Sequence, residues 1–205
     1  MTTTTTEERT LRGMTDDRAS VRLRATMAAG STPHPRYVAV LVERCAVEPE
    51  FFVRDMLTWA LTRHPVSLTL PRVLDELGSP HAQARSQALH TLTKLGERSV
   101  WPAITPSLLT DPDDEVARTA WRAAALLTPE ESHPDLAALL TTQLARGTRE
   151  TRRSLSRALV SLGPLIVPYL HKAKTSPEPP VRAHAEATEH LLHNPEAEFE
   201  HHIAK

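Results

Sequence analysis

Cysteine is nearly absent. Cys45 is the only one in 205 residues, which excludes an internal disulfide framework and fits a reducing compartment. Aromatics are scarce as well, with two Tyr, three Phe and three Trp, and no β-branched or aromatic run argues for a sheet. Ala and Leu must therefore fill most of the core, and side chains that small let helices approach closely. Only six glycines are present, none in a phosphate-cradling loop, and there is no Gly-x-Ser-x-Gly elbow and no His-Glu-x-x-His phrase. Neither sign of charge is in excess: 24 Lys and Arg face 25 Asp and Glu, a net charge of −1. Such a chain has no global attraction for nucleic acid or an anionic membrane. No apolar run reaches the roughly 18 residues of a membrane span. The opening residues 1–8 contain no apolar signal core, so a cytoplasmic protein is expected. Twenty arginines against four lysines, with abundant Ala and Pro, point to a GC-rich coding sequence and a bacterial source.

What is present is a repeat. A small or β-branched residue, usually followed by arginine, recurs six times, with apolar residues three and, in most copies, six positions later. Anchored on Arg22, Arg54, Arg85, Ala117, Arg152 and Arg182, the intervals are 32, 31, 32, 35 and 30 residues. Self-similarity of this length marks a stacked solenoid. Each copy reads as two helices, the second carrying the phrase. The fourth is clearest. Trp101 to Leu109 is expected to form its first helix, Asp111-Pro112-Asp113-Asp114 to break it, and Glu115 to Leu127 to form the second. In that second helix Val116, Ala120, Ala123, Ala124 and Leu127 share one apolar face. In the third copy Leu70 to Leu77 is followed by a Gly78-Ser79-Pro80 turn, then by Ala84, Ala88, Leu92 and Leu95 facing inward, with Gly96 as C-terminal cap.

The expected fold is thus all-α, a right-handed α-α superhelix of about six helix pairs. Repeats are placed at 7–31, 32–65, 66–98, 99–130, 131–163 and 164–195 within one domain over 7–195. Residues 1–6 are expected to be disordered, and 196–205 to form a charged tail or a capping half-helix.

The pattern resembles the HEAT-repeat family, whose phrase places an Asp in the turn between paired helices and Val-Arg at the opening of the second. Asp16 with Val21-Arg22 matches fully, and Glu48 with Val53-Arg54 nearly so. Asp111 precedes Val116-Ala117, with its arginine displaced to Arg118, while Ser79, Arg146 and Ser176 occupy the acidic position elsewhere. The resemblance implies that the recurrent arginines are an architectural ladder linking neighbouring repeats. Ala84-Arg85-Ser86-Gln87-Ala88-Leu89-His90 and Asp113-Asp114-Glu115-Val116-Ala117-Arg118 are also similar to HEAT-repeat segments attached to bacterial MerR-type regulators. That likeness implies an effector- or partner-binding module without a DNA-reading half.

If the second helices line the binding face, the positions two, five and nine residues after each anchor are the ones to inspect. They give a candidate ligand or partner groove of Met27, Met56, Trp59, Arg63, Gln87, His90, Arg122 and Arg157, apolar toward the N-terminus and dotted with arginine beyond. Met and Trp facing solvent point to a partner or ligand. Packing of Met56 and Trp59 against a neighbouring repeat is the alternative. Trp101 reads as an inter-repeat packing residue, and Trp121 lies one step off the groove. Arg146, Arg149, Arg152, Arg153 and Arg157 form the densest basic run. Glu150 interrupts it and no aromatics interleave, so it reads as a solvated face rather than a phosphate strip. The histidines 184, 190, 193, 201 and 202 include Glu186 with His190 and Glu189 with His193 at four-residue spacing, but no third ligand stands at a diagnostic distance and no metal is assigned.

Without a catalytic constellation or a cofactor motif, the leading reading is a non-enzymatic scaffold. Its partner would be a protein segment or small-molecule effector, with neither nucleic acid nor membrane bound, and the chain a monomer or weak dimer. The alternative is a DNA-binding or DNA-repair protein like the HEAT-like alkyl-purine glycosylases. Near-neutral charge argues against it, as does the missing Trp followed four residues later by Asp: Arg63, Thr105 and Ala125 stand there instead. HEAT-type bilin lyases are a third class, with no specific residue in their support.

Overall fold

A computed structural model describes residues 5–194, so residues 1–4 of the segment expected to be disordered and the tail or half-helix expected at 196–205 lie outside the described residues. Every regular element among the described residues is helical, in six consecutive pairs as the repeat predicts. They gather into two compact units that divide between Glu97 and Arg98.

The first unit holds α1 (Thr6–Met14), α2 (Ala19–Ser31), α3 (Pro35–Val47), α4 (Phe51–Arg63), α5 (Val66–Asp75) and α6 (Ala82–Leu95), with a short 3-10 turn at Glu76–Gly78. The second holds a 3-10 segment at Arg98–Ala103, then α7 (Pro106–Leu109), α8 (Asp114–Leu127), α9 (His133–Thr141), α10 (Arg149–Val160), α11 (Val167–Lys174) and α12 (Pro179–His193). Second helices stack on second helices, α2 on α4 on α6 in one unit and α8 on α10 on α12 in the other. First helices line up behind them, as α1 does with α3 and α9 with α11. The core between the layers is mostly Ala, Leu and Val, and Ala84, Ala88, Leu92, Val116, Ala120, Ala123, Ala124 and Leu127 are all buried.

Local signals set the ends of the helices. Thr5 and Glu8 form a reciprocal capping box at α1, Asp113 Oδ1 accepts from the Glu115 and Val116 amides at α8, and Gly96 closes α6 in the left-handed region at φ 71°. The first helix expected over Trp101–Leu109 is broken into the 3-10 segment and the single turn of α7. Pro102 and Pro106 each lack an N–H, Pro102 lying inside the 3-10 segment and Pro106 holding Thr105 extended at ψ 159°, so one continuous α-helix cannot form there.

The recurrent arginine does not take the turn carboxylate. Arg18 holds Asp16 through Nε at 3.0 Å and Nη2 at 3.2 Å, and that guanidinium draws the Asp16 carboxyl down to about 2. Arg22 instead sends Nη1 to the Asp16 and Asp17 carbonyls, at 2.9 and 2.7 Å. The same bond recurs six and five residues upstream of the anchor elsewhere. Arg54 reaches Glu48 O and Pro49 O, Arg85 reaches Ser79 O, and Arg182 reaches Ser176 O and Pro177 O. Each guanidinium thus ties the start of a second helix to the turn that feeds it.

Arg22 also makes a bidentate ion pair to the next repeat, with Nε to Glu48 Oε2 at 2.7 Å and Nη2 to Oε1 at 2.8 Å. Both side chains are buried. Burial pushes the Glu48 carboxyl up, but bonds from Arg22, the Glu50 amide and Arg44 outweigh it and hold the group below its ordinary value.

Removing Arg22 would take two charge-assisted bonds from a buried carboxylate and leave it only Arg44 and the Glu50 amide, whereas Arg54 is half-buried and donates to carbonyls. In urea unfolding, Arg22→Ala should lose about 3 kcal/mol or more and Arg54→Ala about 1 to 2 kcal/mol. Equal losses would contradict the buried-pair account.

Candidate functional site

Met56, Trp59 and Arg63 follow Phe52 along α4 at spacings of four, three and four residues, which places all four on one helical stripe. The stripe points away from the core, because Val53, Leu57, Ala60 and Leu61 fill the opposite face. Phe52 and Arg63 are exposed, Trp59 is 37% exposed and Met56 is half-buried. Met27, on the neighbouring α2, is 47% exposed. Gln87 and His90 on α6 are half-buried, and His90 is already engaged within the protein. These six candidates belong to the first unit, and Arg122 on α8 and Arg157 on α10 are exposed on the second.

Trp59 is neither free nor buried. Its six-membered ring lies on Gly30 of α2, so close that a Cβ added there would stand 2.3 Å from Cζ3 and 2.8 Å from Cε3. One ring face thus packs on the preceding repeat, and the rest remains in solvent.

The most exposed apolar residues of this unit escaped the sequence reading. Val47 at the end of α3 is 61% exposed, and Phe51 and Phe52 at the start of α4 are 65% and 74% exposed, their rings edge-on at 5.8 Å. A signal was available. Two and three residues before the anchor, the other five copies carry Ala19-Ser20, Ala82-Gln83, Asp114-Glu115, Arg149-Glu150 and Pro179-Pro180. Only the second copy places two aromatics there.

Other candidates turn inward. Trp121 is fully buried, its indole N–H donating to Leu109 O at 2.8 Å, so it cannot stack on a ligand. The displaced arginine Arg118 leaves the turn and pairs with Glu115 and Glu150, at 3.2 and 2.8 Å. Arg146 takes over. It bonds Asp111 O, the carbonyl six residues before Ala117, and Asp114 Oδ1 at 2.8 Å, while its guanidinium lies 5.9 Å from the Trp121 ring centre. Arg146 therefore belongs to the framework rather than to a phosphate strip. Gly147 beside it has no room for a side chain, since a Cβ would meet Asp114 Oδ2 at 2.4 Å.

His184, at a groove position by count, is buried. Its Nδ1 accepts the Ala145 N–H at 2.9 Å, so the proton sits on Nε2, within reach of Arg152 O at 3.1 Å and Ser156 Oγ at 2.9 Å. Ser156 in turn meets Thr188 Oγ1 at 2.7 Å, and Thr188 donates to His184 O. This serine and histidine are not a nucleophile and base: both are closed to solvent, and burial pushes the imidazole down to about 4. The network pins Ala145, which holds a left-handed φ of 70° that a side chain rarely adopts.

Burial likewise drives the Cys45 thiol up to about 12, so it stays protonated. Glu189, one half of a candidate metal pair, is held by His171 Nε2 at 2.8 Å and by Lys174, and among the described residues no three His, Cys, Asp or Glu side chains converge. His201 and His202 lie outside the described residues. No described helix is long and apolar enough to cross a membrane.

Residues 70–156 match the family model described as HEAT repeats. Among solved structures, a chain in the complex of CpcE and CpcF of phycocyanin lyase from Nostoc sp. PCC7120 is 17% identical, with a TM-score of 0.52 over 93% of this chain and 78% of that one. An engineered protein is 18% identical, with a TM-score of 0.49 over 90% of this chain and 95% of that one. At such identities the likeness to the lyase complex shows the fold alone. No curated protein matches the sequence. The fold is a HEAT-like α-solenoid of helix pairs.

Gly30→Ala should push the Trp59 ring off α2, costing about 1 to 3 kcal/mol in thermal or urea unfolding and shifting tryptophan emission to the red. An unchanged spectrum and midpoint would refute the contact. His184 titrates near 6.5 when unfolded and near 4 when folded, so the unfolded chain binds the extra proton and stability falls as pH drops through that window. Between pH 7 and 4 the wild type should lose roughly 3 kcal/mol more than His184→Gln. Parallel pH profiles from urea titrations would rule this out.

Proposed function

We propose that this chain is a non-enzymatic binding protein, and that the outward stripe of α4 with Met27 of α2 is its contact surface for a segment of another protein. The observation that carries the reading is that Met56, Trp59 and Arg63 share one solvent-facing line beside an exposed Met27. An apolar side chain left in water forfeits about 25 cal/mol per Å² of buried area. Clustering several on one ridge, with the polar Arg63 at its end, fits a surface that is covered in use. Met adapts to irregular partners, and Trp is the residue most enriched where binding energy concentrates. A ridge of protruding side chains also buries more area against a protein segment than against a small molecule.

Several features weigh against catalysis. The Ser156–His184 contact is sealed, the Cys45 thiol is protonated, and Trp121 is unavailable to a damaged base. The related fold in the CpcE and CpcF complex belongs to an assembly of two proteins, which is consistent with a protein partner here. The resemblance to segments attached to MerR-type regulators supports a regulatory setting.

Wild-type protein and a Met27→Ser/Trp59→Ala variant, each immobilised and challenged with lysate, should differ in the protein retained. In titration calorimetry the variant should bind the retained partner about tenfold or more weakly. Partner affinity identical in the two proteins would sink the reading, as would substrate turnover that survives purification and depends on these residues.

A further inference from the structure

We infer that the knuckle formed by Val47, Phe51 and Phe52 docks a basic, amphipathic segment of the partner. This inference rests on the binding role proposed above and adds the chemistry of what is bound. Two of the three phenylalanines in the chain stand side by side in solvent, each more than half exposed, and pack on each other rather than into the core. They flank the turn between α3 and α4, with Phe52 continuing into the Met56 and Trp59 stripe.

The charge around the knuckle is acidic. Glu43 lies one helical turn before Val47, Glu50 precedes Phe51, and Asp55 lies one turn beyond Phe51 and Phe52. All three are exposed, and none is in an ion pair among the described residues. The nearby arginines face inward: Arg44 Nε is bonded to Glu48 at 2.9 Å, and Arg54 Nη1 to the Glu48 and Pro49 carbonyls. With Glu48 included, four carboxylates face the guanidinium groups of Arg22, Arg44 and Arg54, so the arginines offset most of the acidic field and leave a small negative excess on the exposed side.

That sign selects the occupant. A second copy seated knuckle to knuckle would bring the same carboxylates together. The end of this chain carries Glu196, Glu198 and Glu200, which the same acids would repel. A segment with apolar residues at helical spacing and Lys or Arg beside them meets both the phenyl rings and the carboxylates.

The test uses a fluorescein-labelled amphipathic peptide with leucines at helical spacing and lysines elsewhere, alongside its glutamate counterpart, read by anisotropy. The lysine peptide should bind the full chain, more weakly at about 500 mM salt than at about 50 mM. Phe51→Ser/Phe52→Ser, folded because both rings are exposed, should weaken binding at least about tenfold. Glu50→Gln/Asp55→Asn should weaken it and flatten the salt dependence. Glu130→Gln/Glu131→Gln, the same charge change on the other unit, should leave it unchanged. The proposal is overturned if the lysine peptide does not bind, if the glutamate peptide binds as well, or if the Phe variant keeps wild-type affinity. Should Met27→Ser/Trp59→Ala weaken partner binding while the Phe variant does not, the knuckle falls and the stripe stands; the reverse result removes the stripe and keeps the knuckle.

Discussion

Each helix pair has the same difficulty: the chain must turn sharply between two helices that pack through small side chains, and the carbonyls of that turn are left without intrahelical donors. An unmet buried carbonyl costs about 1 to 3 kcal/mol. Arginine resolves this from within the second helix. Its guanidinium can donate two bonds to successive carbonyls while its stem lies along the helix, which is why Arg22, Arg54, Arg85 and Arg182 recur at one position in the repeat. The helix pairing, the stacking of second helices and the stripe that faces solvent all depend on these turns holding their geometry.

The fourth pair shows that the constraint belongs to the carbonyl rather than to the residue. With Ala117 at the anchor, Asp111 O would be orphaned, and Arg146 reaches it from the next repeat. The guanidinium then lies over Trp121, Gly147 yields the space beside it, and His184 fixes the left-handed Ala145 one residue away. One missing arginine is thus offset by an arginine, a glycine and a buried histidine, all near the turn that opens α10. A basic run that reads in sequence as a solvated face is in part this repair.

The first pairs carry the other departure from regularity. Gly30 removes a side chain from α2 so that a tryptophan can lie against it, and the tryptophan in return leaves its outer face in water. Phe51 and Phe52 occupy positions held by small, polar or charged residues in every other copy. Framework and binding surface therefore use different positions of the same repeat: anchors and small residues build, and the residues that break the pattern protrude.

The sequence alone determined the number of helix pairs and the inward faces of the second helices, and it put Met56, Trp59 and Arg63 on one helical line while leaving their exposure open, because those follow from periodicities of 3.6 and about 32 residues that local chemistry enforces. It also pointed to the recurrent arginines as framework. Only the tertiary structure decided their partners. Whether a guanidinium meets the turn aspartate, a carbonyl or Glu48 of the next repeat depends on distances between segments far apart in sequence. For the same reason His184 and Trp121, unremarkable or exposed by count, are sealed inside, since a shift of one step around a helix exchanges core for solvent. Phe51 and Phe52 were visible as letters, but their exposure was not, because the start of a helix turns toward solvent or core according to what packs behind it.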